Sequence, residues 1–410
     1  MTHADPVSTA VQPDGYLSNT PQYRRVLVAL FAAGIATFAL LYSPQALLPA
    51  LATDLHVSST ASTLTLSLTT LGLGLALLVA GPVSDVVGRT RLVHLSLTAS
   101  AVLTIACALA PSWHVLLVLR LLDGIALAGL PAVATAYLRE ELHASTHARA
   151  AGLYVGGTAF GGMLGRLLTG AVGEVAGWRW AFAAIGLLGL ACAAVVLVLL
   201  PASQRFVAAS PGLRTSLQMT RRALSDPALL ALYGIGACAM GALVGALNTT
   251  GFRLEAAPYG LGLGAASLVF LVYPLGSLSS TGAGRLADVL GRRAVAPIGV
   301  VVAVAGILLT LSTALPLVVV GLALLTIGFF AVHGIASGWV PVRAHAGGVS
   351  AAQAASLYLF AYYLGSSVFG SVAARAWTVA AWPGVVALTA TLLLVTGGLT
   401  LTLRRMPSLL

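Results

Sequence analysis

The chain has 410 residues, of which 59% are hydrophobic and only 8% charged, with a mean hydropathy of +0.98; soluble domains carry roughly 25% charged residues, so this chain belongs in a bilayer. Its formal charge is +10 and all 21 basic residues are arginines. Without lysine there is neither a Gly-x-x-x-x-Gly-Lys-Ser/Thr phosphate loop nor a Schiff-base lysine, which argues against ATP-driven pumping by this chain alone and against pyridoxal chemistry.

Residues 1–23 are polar, contain Pro6, Pro13 and Pro21, and lack the apolar core of a cleavable signal peptide, so they read as a loose cytoplasmic tail. Twelve apolar stretches follow, starting near Val26, Ala61, Leu92, Trp113, Ala148, Trp178, Pro227, Leu261, Ala294, Leu315, Gly348 and Ala381. About 20 such residues span a hydrocarbon core as a helix. The loops between them are too short to hold a soluble catalytic domain, and no enzyme activity is expected. The apolar pattern stops once, from Pro201 to Asp226, in a segment with two prolines and four arginines. This divides the chain into six helices over 24–201, a cytoplasmic linker over 202–226, six helices over 227–403 and a short tail over 404–410.

The arginines fix an orientation. Arg120 and Arg166 fall inside helices, Arg179, Arg253 and Arg375 at one side, and the other 16 of the 21 at the opposite side. The positive-inside rule then places both termini in the cytoplasm. Because the charge sits at alternate helix ends and forms no continuous patch, nucleic acid is not an expected partner; the lipid bilayer is. Cys107, Cys192 and Cys238 each lie alone in a helix, which supports neither a metal nor a redox site.

The most informative signal is a repeat. GPVSDVVGR runs from Gly81 to Arg89 and GRLADVLGR from Gly284 to Arg292, 203 residues apart and each between two apolar stretches. With a shift of 204, Leu153-Tyr154 matches Leu357-Tyr358, Gly161 matches Gly365, Gly124 matches Gly328 and Trp178 matches Trp382. Parallel repeats of this kind build a substrate site at their interface, and the halves rock to alternate access.

These motifs resemble the major facilitator superfamily over essentially the whole chain. Gly81 to Arg91 is similar to that family's signature between helices 2 and 3, and Gly284 to Arg293 to its weaker second copy. Arg120-x-x-x-Gly124 resembles a further family motif on helix 4. Gly152, Gly161, Gly165 and Gly170 resemble the helix 5 glycine motif of the drug:proton antiporter branch. Two positions depart from the pattern: Val86 stands where a basic residue is usual, and Arg166 replaces the proline of the antiporter motif. An arginine there is similar to inner-membrane exporters of the YnfM type. The resemblance implies an all-α membrane protein of twelve transmembrane helices in two pseudo-symmetric six-helix bundles, acting as a monomer in the bacterial inner membrane.

The resemblance also implies that Asp85, with Gly81, Gly88 and Arg89, latches onto the start of helix 11 near Gly348 to Ser350. By symmetry Asp288, with Gly284, Gly291 and Arg292, would latch onto the start of helix 5 near Thr146 to Ala148. A carboxylate there can accept N–H groups from a helix N-terminus, and the contact would exist only while the cytoplasmic side is closed.

Arg120 and Asp123, three apart, share a face of helix 4, and Arg166 on helix 5 sits at a depth similar to Arg120, roughly 10 Å below the external surface. Charges at such depth face a cavity or a partner. They read either as a coupling site, with Asp123 carrying a proton beside Arg120 or Arg166, or as a static ion pair plus an arginine reaching the headgroups. Gly157, Gly161 and Gly165 leave one face of helix 5 bare for close helix packing, with the added expectation that this contact seals the halves; Gly365 and Gly370 would do likewise on helix 11. Tyr42 and Gln45 around the break at Pro44, with Tyr154, Asn248, Gln353, Tyr358 and Tyr362, describe a largely apolar cavity with a few polar handles. His333 reads as hydrogen-bonded structure more than as a proton carrier.

The expected function is alternating-access transport of a small organic, amphipathic molecule by proton-coupled efflux, with no cofactor and the proton gradient as energy source. The alternatives are a symporter importing a sugar or organic anion, for which Arg120 and Arg166 would clamp the anion, and a non-transporting receptor or scaffold.

Overall fold

The computed structural model describes residues 15–205 and 213–406. Among them nearly all are helical, and the one β-type pairing is a bridge between Tyr16 and Leu142. The described end of the N-terminal tail is thus fastened and not loose: the Tyr16 amide donates to the Glu141 carbonyl at 2.8 Å. The N-terminal bundle comprises α1 (Pro21–Asp54), α2 (Ser59–Val87), α3 (Arg89–Ala108), α4 (Trp113–Glu141), α5 (His147–Ala176) and α6 (Trp178–Leu199). The C-terminal bundle comprises α7 (Pro227–Glu255), α8 (Leu263–Leu290), α9 (Arg292–Leu309), α10 (Leu315–Ala346) and the stretch Ala351–Arg405. That last stretch is two helices. Ala380 (φ −136°, ψ 22°) and Ala381 (φ 49°, ψ −149°) leave the helical region, so α11 covers 351–380 and α12 covers 381–405. The positive-φ alanine costs about 1–3 kcal/mol, which the packing on both sides must offset. A linker helix, Leu213–Ser225, joins the bundles.

The twin motifs build the same turn twice. Gly88 (φ 93°, ψ 144°) ends α2, and Gly291 (φ 83°, ψ 145°) ends α8. A Cβ is strained at such positive φ, which is why both copies need glycine. Two helices are broken within their spans. Pro44 interrupts α1 with a 3₁₀ segment at Ser43–Leu47, and a 3₁₀ segment at Leu268–Val272 precedes Pro274 in α8. Proline lacks the N–H that the α-ladder requires, so the tighter turn re-aims the flanking side chains.

The helix 5 glycines pack α5 onto α1. A Cβ on Gly157 would lie 2.6 Å from the Phe31 carbonyl oxygen, one on Gly165 would lie 2.7 Å from the Ala39 Cα, and one on Gly161 would collide with Ile35 backbone. This is close packing within one bundle, which corrects the expectation that the stripe seals the halves. Gly365 repeats it against Ala237 of α7.

The halves meet at the end of the molecule remote from the termini, the distal end. Gln45 donates to Asn248 at 2.5 Å, Ser67 meets Ser371 at 2.9 Å, and Ser59 meets Thr378 at 3.2 Å. The Glu174 carboxylate at the end of α5 accepts the Gly264 N–H at the start of α8, while Gly170 and Gly173 press on Ser267 and Leu263. At the terminus-bearing end, Cβ atoms added to Gly81, Gly152, Gly156, Gly284 or Gly348 would meet nothing within 4 Å. The two bundles form a V closed at the distal end.

Candidate functional site

The three charges inside the membrane do not form one site. Arg120 and Asp123 are fully buried and pair at 2.5 Å. Asp123 also accepts from the Ser100 hydroxyl and from Thr104 at 3.3 Å, both on α3. Arg120 donates onward to the carbonyls of Thr65 (3.2 Å), Leu41 (3.0 Å) and Leu40 (3.4 Å). Each of these partners belongs to the N-terminal bundle. The pair is charge-balanced and ties α4 to α1, α2 and α3.

Arg166 is different. It is fully buried, and among the described residues it has no acidic partner, since the ion pairs join Arg89 to Asp85 and Glu140, Arg120 to Asp123, and Arg343 to Asp226. Its Nε donates to Gln45 Oε1 at 2.5 Å and its Nη1 to the Gly162 carbonyl at 2.7 Å. Its guanidinium carbon lies 4.4 Å from the Tyr42 ring centroid, 4.5 Å from that of Tyr273 and 5.0 Å from that of Phe270. Tyr42 and Gln45 flank the break in α1; Phe270 and Tyr273 flank the break in α8. Both broken helices, one from each bundle, therefore converge on one unpaired cation. Gln45 passes the contact on to Asn248 of α7, and the Tyr42 hydroxyl and the Asn248 Nδ2 are buried without a hydrogen-bond partner. An aromatic wall continues into the C-terminal bundle. Tyr273 stacks edge-on with Phe330 (5.4 Å), and His333 lies 5.7 Å from Phe329, 4.8 Å from Tyr362 and accepts or donates a 2.9 Å hydrogen bond with Tyr358.

Other predicted residues fall elsewhere. Gln353 donates to Thr220 of the linker helix at 2.9 Å and takes no part in the site. Tyr154 is half-buried against the N-terminal bundle and lies near Tyr363 of α11. Asp85 binds Arg89 at 3.1 Å, and Arg89 also pairs with Glu140 at 3.0 Å. Neither latch is closed here: Ser350 instead caps its own helix by accepting from the Gln353 N–H at 3.4 Å, and Asp288 and Arg292 are exposed. Val86, where the motif departs, points outward at 86% exposure.

Residues 26–370 match the family model of the Major Facilitator Superfamily. The chain belongs to the major facilitator superfamily. This facilitator is 39% identical over 377 residues to the MFS-type transporter YybF of Bacillus subtilis (strain 168), covering 92% of both chains. It is 38% identical over 385 residues to the inner membrane transport protein YnfM of Escherichia coli (strain K12), covering 94% of this chain and 92% of that one. Its fold is similar to that of a bacterial homolog to the human lysosomal transporter Spinster in an inward-facing and occupied conformation, with a TM-score of 0.75 at 16% identity over 94% of this chain and 97% of that one. The facilitator is accordingly a multi-pass membrane transporter of twelve helices in two bundles.

Sequence reasoning missed Phe270 and Tyr273 as site residues of this facilitator. The signal was present: Tyr273-Pro274 repeats the aromatic-before-proline pattern of Tyr42-Ser43-Pro44.

Proposed function

We propose that this transporter moves a small organic anion with an aromatic or apolar body outward across the bacterial inner membrane, as a monomer with both termini cytoplasmic. One observation carries the reading: Arg166 is wholly buried between the bundles, against Tyr42 and Tyr273, and among the described residues no carboxylate balances it. A buried charge is costly unless paired, and an anionic substrate supplies the pair. Two further donors without partners, the Tyr42 hydroxyl and the Asn248 amide, suit oxygens of the same solute, and the rings suit its apolar face. With the termini inside, the open end faces the cytoplasm, where an exported solute enters.

Direction follows from charge. An anion leaving an inside-negative cell gains about 2.3 kcal/mol per charge for each 100 mV, so export needs no buried proton carrier. Asp123, with Arg120, Ser100 and Thr104 as donors, is bound as structure, and membrane potential ranks above proton coupling as the driving force.

The test is transport by the full chain in liposomes under imposed potential and pH gradients, with benzoate, benzamide and phenyltrimethylammonium as probes. Benzoate flux that follows the potential, with no flux of the neutral or cationic probe, is the expected result. Flux of the cation against a proton gradient without benzoate flux would replace this reading by drug:proton antiport, and no flux under any gradient would favour a receptor or scaffold.

A further inference from the structure

The C-terminal bundle holds a second basic site, separate from Arg166. At the terminus-bearing end, a cavity of about 560 Å³ lies between the α8–α9 turn, the end of α10 and the end of α12. Arg292, Arg293 and Trp339 line it together with Leu290 and Leu403. Arg343 also reaches it, but is paired with Asp226 at 2.9 Å.

The duplicated chain supplies its own control. The α2–α3 and α8–α9 turns have nearly the same backbone angles at Gly88 and Gly291. In the first, Arg89 is neutralised by Asp85 and by Glu140. In the second, the position matching Glu140 under the 204-residue shift is Ala344, and among the described residues no ion pair joins Arg292 to Asp288 or to any other carboxylate. Arg293 spends its donors on two neutral carbonyls, those of Met406 (2.7 Å) and Arg404 (3.4 Å), and among the described residues no ion pair joins it to a carboxylate. Two cations without an ion pair among the described residues thus border a cavity whose other walls, apart from the paired Arg343, are apolar. Leu290, 54% exposed, joins those walls to the outward surface of the membrane-spanning α8.

We propose that this cavity binds an anionic phospholipid, its phosphate between Arg292 and Arg293 and its acyl chain along Leu290 and Leu403. A soluble phosphate would not need the apolar walls, whereas a lipid uses both. Tryptophan at such a depth is the usual interfacial residue, and basic pockets between helices at a membrane face suit anionic headgroups.

Trp339 makes the site observable. In vesicles of phosphatidylcholine doped with brominated lipid, the Trp339 signal is the difference between the full chain and its Trp339→Phe variant. Brominated phosphatidylglycerol is expected to quench that signal at about thirty-fold lower mole fraction than brominated phosphatidylcholine. Arg292→Gln and Arg293→Gln should each reduce the preference about five-fold, and Arg285→Gln, exposed on α8 outside the cavity, should leave it unchanged. Equal quenching by the two lipids, or full preference retained in both Arg292→Gln and Arg293→Gln, would overturn the site. Displacement of brominated phosphatidylglycerol by millimolar glycerol 3-phosphate would show a soluble phosphate site and overturn the lipid assignment.

Discussion

Replacing each of the two buried arginines by glutamine separates substrate recognition from scaffolding. Arg166→Gln removes a cation whose polar contacts are the neutral oxygens of Gln45, Gly162 and Tyr273, so no charge is stranded, and folding stability should change by no more than ~1 kcal/mol. The loss appears in anion binding. A charge-assisted hydrogen bond is worth about 1.5–3 kcal/mol, which converts to roughly 10- to 150-fold weaker benzoate affinity. Arg120→Gln does the reverse. It strands the fully buried Asp123 carboxylate, whose strongest partner is that arginine at 2.5 Å, and breaking such a pair costs about 3–5 kcal/mol. Thermal melts followed by tryptophan fluorescence, with benzoate binding on the same preparations, read both effects. The reasoning is refuted if Arg166→Gln lowers the melting temperature as much as Arg120→Gln, or if it binds benzoate like the wild type.

Three other outcomes follow from the same geometry. Asp123→Asn strands Arg120 instead and should also destabilise the fold by about 3–5 kcal/mol, with the ratio of proton to solute movement unchanged; loss of proton movement at wild-type stability would make Asp123 a proton carrier after all. Glu174→Gln weakens the charge-assisted contact with the Gly264 N–H and should shift the population toward distal opening, measured as a longer spin-label distance between the distal ends of α5 and α8. Asp226 gives a pH signature. Burial raises its carboxyl, but hydrogen bonds from Arg343 and from the Leu229 and Ala228 amides outweigh that and hold it below the usual range. A depressed folded-state value means stability that is present above about 3.9 and lost as pH falls further through the folded value, so wild-type melts should fall with acidification below pH ~4 more steeply than those of Asp226→Asn.

The fold was legible because its signals are local. Apolar length gave the helices, the arginine bias gave their alternation, and the glycine of each twin turn marked a positive φ that the backbone adopts at Gly88 and Gly291. Pro44 announced the break in α1. What stayed hidden depends on long-range contacts. Gln353 has a cavity-like setting in sequence, but a linker helix comes close enough for Thr220 to take its amide. Gly157, Gly161 and Gly165 show a bare face without showing which helix fills it, and α1 does. Asp85 has the composition of a latch, yet in this state the bundles are apart at its end and Arg89 claims it instead. Arg166 was legible as a buried charge. That no carboxylate among the described residues pairs with it was not, because that depends on long-range placement of the acidic residues.

Arg166 also explains how occupancy and gating can be linked. The residues that hold it, Gln45 and Tyr42 from one bundle and Tyr273 and Phe270 from the other, lie on the two helices broken beside the distal seal. Gln45 is shared, because its carbonyl oxygen accepts from Arg166 while its amide donates across the bundle interface to Asn248. An anion that pairs with the guanidinium competes for the donor that Gln45 Oε1 now accepts. A freed Gln45 has less reason to stay oriented toward Asn248, so binding acts on a contact that exists only while the distal end is closed. A solute can shift a conformational equilibrium only by its difference in affinity between the two states. A ligand that loosens the Gln45–Asn248 bridge binds the distally open state better by that contact, a net ~0.5–1.5 kcal/mol. Such a bias changes the population by roughly two- to twelve-fold, enough to favour opening when loaded without locking the empty carrier shut.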